Sequence, residues 1–135
     1  MKVENAVYPT ADGIQALSRD PSSTKIAMLN LLKFREKAMY KDGRSDDISG
    51  REAYLRYANA MTKIVEREGG RILFSGRIAA LVIGEVEEMW DVAAIMEYPS
   101  RAAFQRIVTL PEVQEIGVHR EAGLEGQLLI MTESI

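Results

Sequence analysis

Apolar and polar positions along the chain alternate between two periods, and the changes of period mark the elements. Ile14 and Leu17 share one helical face, which predicts a short helix over about Ala11 to Arg19, stopped by Asp20-Pro21. Pro21-Ser22-Ser23 reads as a linker. Lys25 to Phe34 is a near-continuous apolar run, interrupted by Asn30 and ended by Lys33, as in a strand buried on both faces. Arg35 to Gly50 is polar and carries Asp42-Gly43 and Asp46-Asp47, the composition of a mobile loop.

Ser49 with Glu52 three residues later forms a capping-box pattern, and a helix follows to Glu68. Its apolar stripe is Tyr54, Tyr57, Met61, Ile64 and Val65, and Gly69-Gly70 ends it. Arg71 to about Ile83 reads as a second strand bent at Gly76, Gly84 to Glu88 as a turn, and Met89 to Tyr98 as a third strand ended by Pro99. Ser100 caps a helix over Arg101 to Val108. Thr109-Leu110-Pro111-Glu112 is a second capping-box pattern opening a helical turn to about Ile116. Arg120 to Gly126 then reads as a connection, and Gln127 to Thr132 as the last strand.

After a leading helix the order is β-α-β-β-α-β, the split arrangement of a ferredoxin-like α+β fold with an antiparallel four-stranded sheet. The expected organisation is an N-terminal helical extension over residues 1–24 and one domain over residues 25–135. Both helices of this arrangement pack on one face of the sheet. The strands offer no polar face to water: Met28, Asn30, Leu32 and Phe34 alternate with Ala27, Leu29 and Leu31, and Trp90, Val92, Ala94 and Met96 with Asp91, Ala93 and Ile95. A lone subunit would expose a large apolar patch, so a second copy is expected to cover it and make a homodimer. Strand phase groups Asn30, Ser75, Arg77, Asp91, Glu97 and Gln127 as polar groups inside the enclosed apolar interior, the usual makeup of a small-molecule pocket.

Composition narrows the chemistry. The 135 residues suffice for one domain, and the apolar and charged fractions, 47% and 27%, are those of a globular chain. There is no cysteine, which removes disulfides, thiolate metal sites and cysteine nucleophiles and fits a reducing, cytoplasmic setting. The net charge is −3 with no basic block, so nucleic acid is not an expected partner. The longest apolar run, Ile78 to Ile83, is far short of the ~20 residues of a membrane span, and membrane is excluded as a partner too. The aspartates of 42–47 lack the alternating ligands of a calcium loop, and one histidine without cysteine makes no zinc set, so no metal or other cofactor is expected. Phosphate-loop and nucleophile-elbow motifs are absent.

His119, the single histidine, is the candidate acid or base; the alternative is a structural histidine bonded to backbone. Asn30, within an apolar strand, needs a partner, whether ligand, water or backbone. Arg120 suits a substrate carboxylate, or an ion pair with Glu121, Glu115 or Asp91. Trp90 is a flat wall for a pocket or a core or dimer contact. Asp91 joins Asn30, Trp90 and Arg120 as a candidate substrate-binding residue. Arg77 and Glu97 stand to pair across adjacent strands, and Lys33 reads as a solvated strand end.

Several of these positions carry a resemblance. Asn30-Leu31-Leu32-Lys33-Phe34, Tyr54 and Tyr57, Gly69-Gly70, Gly76, Trp90-Asp91, Tyr98-Pro99-Ser100 and His119-Arg120 resemble the DUF1330 family of the dimeric α/β-barrel superfamily, from about Ile26 to Thr132. The resemblance implies a ferredoxin-like fold and a homodimer, and no single activity. Related families include cofactor-independent monooxygenases, haem-degrading enzymes, isomerases and haem peroxidases. Asn30, Trp90 and His119 are residue types that the haem-degrading relatives use, although His119 lies later in the chain. The expected function is a dimer binding a small organic acid or aromatic compound, with or without transforming it. The alternatives are an oxygenase or haem-binding enzyme, and a non-catalytic association or stress-response module.

Overall fold

A computed structural model of the chain describes residue 6, residues 9–19 and residues 23–135. Asp20, Pro21 and Ser22, the expected helix stop and most of the linker, lie outside the described residues. The elements run α1 (Ala11–Ser18), β1 (Ile26–Phe34), α2 (Gly50–Arg67), β2 (Arg71–Arg77), β3 (Val92–Tyr98), α3 (Arg101–Val108), α4 (Pro111–Gly123) and β4 (Leu124–Glu133). The strands form one sheet in the order β2-β3-β1-β4, with every neighbouring pair antiparallel. This is the ferredoxin-like α+β fold.

Local chemistry sets most of the boundaries. Thr10, Ser49 and Ser100 cap α1, α2 and α3, each accepting an N–H of the first turn, from Gly13, Glu52 and Ala103. Gly69, with φ of 91°, lets the chain leave α2 in a left-handed turn. The second expected capping box does not form. The Thr109 hydroxyl instead donates back to the Gln105 and Arg106 carbonyls that end α3. Pro111 at the first turn starts α4 without a side-chain cap. That helix continues through His119 and Arg120 to Gly123, so the expected connection after Arg120 is helix and then strand. It has no single apolar stripe along its sequence, and it packs chiefly on α2.

β2 is shorter than expected. It ends at Arg77, residues 78–91 are irregular, and its bulge lies between Ile72 and Phe74 rather than at Gly76. Gly76 has another purpose: a side chain there would meet the Phe74 ring at 2.7 Å.

Strand phase also divides the expected polar group. Ile26, Met28, Asn30 and Leu32 are buried, while the intervening Ala27, Leu29 and Leu31 are only half-buried. Asn30 therefore faces the helices, not the open side. Register carries this face to Ala94 and Ser75 beside Asn30, and to Val92, Arg77 and Gln127 beside Leu32. Glu97, opposite Ala27, belongs to the other face. β1 was ambiguous because both its faces are apolar, and only the packing of the helices selects one. The expected Arg77–Glu97 pair is also replaced. The register sets Arg71 opposite Glu97, and Glu97 bonds Arg71 at 3.1 Å, with Lys25 at 3.8 Å.

The main core lies between this face and the helices. It joins Ile26, Met28 and Tyr98 of the sheet to Met61, Ile64 and Val65 of α2, Phe104 and Ile107 of α3, and Val113 of α4. Tyr98 and Phe104 meet edge to face with ring centroids 4.9 Å apart.

Candidate functional site

Beyond that core, toward the end of β1, the same face turns polar. Asn30 is 7% exposed. Its Oδ1 accepts from Gln127 Nε2 at 3.0 Å, and Gln127 Oε1 accepts from Arg120 Nη1 at 2.8 Å. β1 supplies the first amide, β4 the second, and α4 the guanidinium above them. The row is oriented: the cation at one end fixes which way each amide points. Arg120 also lies 5.9 Å from the centre of the Tyr57 ring. Gln127 was grouped with Asn30 from strand phase, but its place as the link to Arg120 required the position of α4.

Aromatic rings roof this row. Phe34 and Tyr54 have centroids 5.4 Å apart, and Tyr54 and Tyr57 5.6 Å apart. Burial pushes both phenols of Tyr54 and Tyr57 well above the usual tyrosine range, opposed by the charge of Arg120. Both are therefore neutral hydroxyls near pH 7. The helix stripe suggested a core role for them, and Arg120 lies close to the Tyr57 ring.

Trp90 is 3% exposed, and its indole N–H is buried with no hydrogen-bond partner among the described residues. Asp91 ties this segment to β1: its carboxylate accepts the Phe34 N–H at 2.7 Å, and its own N–H donates to the Leu32 carbonyl at 2.9 Å. Arg35, next to Phe34, has a buried Nε–H that also lacks a partner among the described residues. Two buried donors without acceptors thus flank one strand-end hydrogen bond. An unmatched buried donor costs about 1–3 kcal/mol, so an acceptor is favoured there. An open depression of about 400 Å³ lies nearby, lined by Arg35, Glu36, Lys37, Met39 and Glu125.

His119 is directed elsewhere. Its Nδ1 lies 2.7 Å from the Tyr40 hydroxyl in the segment between β1 and α2, and the two rings meet edge to face. Successive residues of a helix point about 100° apart, so Arg120 meets the sheet while His119 meets that segment. The structure thus joins Asn30 and Arg120 through Gln127, sets Trp90 and Asp91 at the end of the strand, and gives His119 a separate partner. Lys33, expected to be solvated, is held between Glu88 at 2.9 Å and Glu125 at 3.1 Å.

Glycine makes the local geometry possible. A methyl group on Gly50 would collide with the Arg35 carbonyl, and one on Gly123 with the Gly50 carbonyl. The start of α2 and the end of α4 therefore cross backbone to backbone. Among the described residues no group of three or more acidic or histidine side chains is placed to hold a metal, and no helix is long and apolar enough to cross a membrane.

Comparison with known proteins agrees with this architecture. A family model described as domain of unknown function (DUF1330) matches residues 43–134. The crystal structure of RPA0582, a protein of unknown function from Rhodopseudomonas palustris, is similar at 32% identity over 98% of each chain, with a TM-score of 0.86. Its methylated form gives 34% identity over 97% of this chain and 96% of that one, with a TM-score of 0.87. SnoaB, a cofactor-independent oxygenase from Streptomyces nogalater, shares 11% identity over 83% of this chain and 94% of its own, with a TM-score of 0.54. At that identity the likeness concerns the fold. No curated protein matches the chain.

Proposed function

The chain belongs to the DUF1330 family, and we propose that it works as a homodimer binding a small aromatic acid between the sheet and helices α2 and α4. The observation carrying this reading is the buried indole N–H of Trp90, just before β3, which has no partner among the described residues, taken together with the Arg120–Gln127–Asn30 row. Arg120 supplies charge for a carboxylate. The two amides hold that charge in place, Phe34, Tyr54 and Tyr57 offer apolar walls, and the Trp90 N–H receives an oxygen of the ligand. Few polar groups among many apolar ones is how small-ligand sites are commonly built.

The dimer rests on the opposite face. Leu29, Leu31, Ile95 and Leu128 lie there half-buried, and Phe74 and Ile130 are 57% and 42% exposed. The segment after β2 adds Val82 and Ile83, about nine-tenths exposed. A contiguous apolar surface of this kind is seldom left in water, and an interface of roughly 1,600 Å² in total would cover it.

Trp90 is the single tryptophan, so its fluorescence reports on the site directly. Titration with benzoate and 4-hydroxybenzoate is expected to give a saturable emission change. Arg120→Met should weaken it about tenfold or more, the loss of one charge-assisted hydrogen bond. Folded dimer showing no saturable change with any aromatic acid would refute the site. Sedimentation checks the assembly: wild type should run at twice the 15.1 kDa chain mass, and Leu31→Asp should release monomer.

A further inference from the structure

The segment between β1 and α2 is anchored at several points that are independent of the ligand reading. Its backbone bonds include Arg35 N–H to the Gly123 carbonyl at 2.8 Å, Ala38 N–H to the Ile48 carbonyl at 3.0 Å and Met39 N–H to the Ala122 carbonyl at 2.9 Å. Among its side-chain anchors is Tyr40. Arg56 Nη1 of α2 approaches the Tyr40 oxygen at 3.4 Å, and His119 Nδ1 of α4 lies at 2.7 Å. An arginine only donates, so the hydroxyl takes that contact on oxygen and its own hydrogen is free to go to the imidazole. With the proton of the neutral ring on Nε2, Nδ1 accepts that hydrogen.

The surroundings oppose a charged ring. Arg44 stacks over the Tyr40 ring at 4.5 Å and pairs with Asp42, while Arg56 pairs with Asp46 at 2.7 Å. From α4, Glu121, two residues after His119, pairs with Lys41 of the segment at 3.7 Å, and Glu115 lies one turn back. Burial, then Arg44 and Arg56, hold the imidazole below the ordinary histidine value, and Asp46 and Asp42 pull the other way.

We propose that the Tyr40–His119 hydrogen bond is an acid-sensitive latch that fastens segment 35–49 to α4 and releases it when the imidazole is protonated. Protonation at Nδ1 turns the acceptor into a donor, so the Tyr40 hydroxyl must turn and take a second donor on the oxygen that already meets Arg56, and a third cation joins Arg44 and Arg56. The sign follows from linkage. A histidine held below its unfolded value, about 6.5, stabilises the latched form above that pH. The stabilisation is lost as pH falls through the lower, folded value. Arg35, Glu36, Lys37 and Met39 of the same segment line the depression at the end of β1, so release alters access to that end of the sheet.

The test uses the full chain without ligand. Amide exchange at Ala38 and Met39, referred to intrinsic rates, is measured from about pH 7.5 to about pH 5 alongside the NMR titration of His119. Wild-type protection should fall about tenfold as the imidazole protonates. His119→Gln, whose carbonyl accepts from Tyr40 but does not titrate, should keep protection constant across the range. Tyr40→Phe should be poorly protected throughout. Wild-type protection that stays flat while His119 titrates, or that falls equally in His119→Gln, would overturn the latch. Since no ligand enters the experiment, its result does not depend on the binding site proposed above.

Discussion

The two ends of the helix-covered face are built from different materials. Where β1 begins, Ile26, Met28 and Tyr98 meet Val65, Phe104 and Ile107, and the packing is almost wholly apolar. Where β1 finishes, the same face holds Asn30, Gln127 and Arg120 in a bonded row with two neutral phenols, and Trp90, just before β3, has an indole N–H without a partner among the described residues. Apolar burial stabilises the fold in proportion to area, whereas buried polar groups at best regain what they lose in leaving water. The first end therefore supplies stability, and the second spends part of it on specific directions in space. Such a division is what a binding region needs, because directed donors discriminate between ligands and apolar area does not.

The contrast can be broken most forcefully from the apolar end. Ile107 is fully buried, and Ile107→Ala should lower unfolding free energy by about 2–5 kcal/mol in denaturant titration. The Trp90 response of molecules that remain folded should be unchanged. Next comes Gly123→Ala, which forces apart the crossing of α2 and α4 and should cost about 1–3 kcal/mol. Unlike the first variant, it should also disturb the Trp90 response, because α4 carries Arg120. Neighbouring positions of one strand then sharpen the comparison. Asn30→Leu leaves Gln127 Nε2 without its acceptor and should cost about 1–3 kcal/mol, while Met28→Leu, nearly equal in volume, should stay under about 1.5 kcal/mol. Equal costs at positions 28 and 30 would remove the distinction between the ends.

The smallest effect is spectroscopic. Burial raises the phenol of Tyr98 at the apolar end as it does Tyr54 and Tyr57. The fold thus favours the neutral form, a contribution intact below about pH 10 and lost as pH rises through the folded values. Three of the five tyrosines should withhold phenolate absorbance above pH ~10 until the chain unfolds. Ionisation of all five near the ordinary value would show that the phenols are not desolvated.

Much of the fold was legible along the chain because its signals are local. Ser49 and Ser100 start helices, Gly69 ends one, and the run from Ile26 to Phe34 is too apolar to be anything but a central strand. The candidate site was legible only in part. Asn30 and Arg120 were visible as polar or charged residues in informative places, but their link through Gln127 was not. His119 and Arg120 are adjacent in sequence and serve different neighbourhoods. Thr109 offered a capping pattern that the end of α3 used instead, and α4 was underestimated because its sequence carries no single apolar stripe.

The sequence by itself determined the order of elements, the burial of the central strand and the absence of thiol chemistry, since each follows from residue types and spacing over a few positions. Tertiary structure alone decided which face of β1 meets the helices, and so whether Asn30 joins Gln127 and Arg120 or the open side. With both faces apolar, a shift of one residue in strand phase changes no local preference. Only helices packed on one side distinguish them.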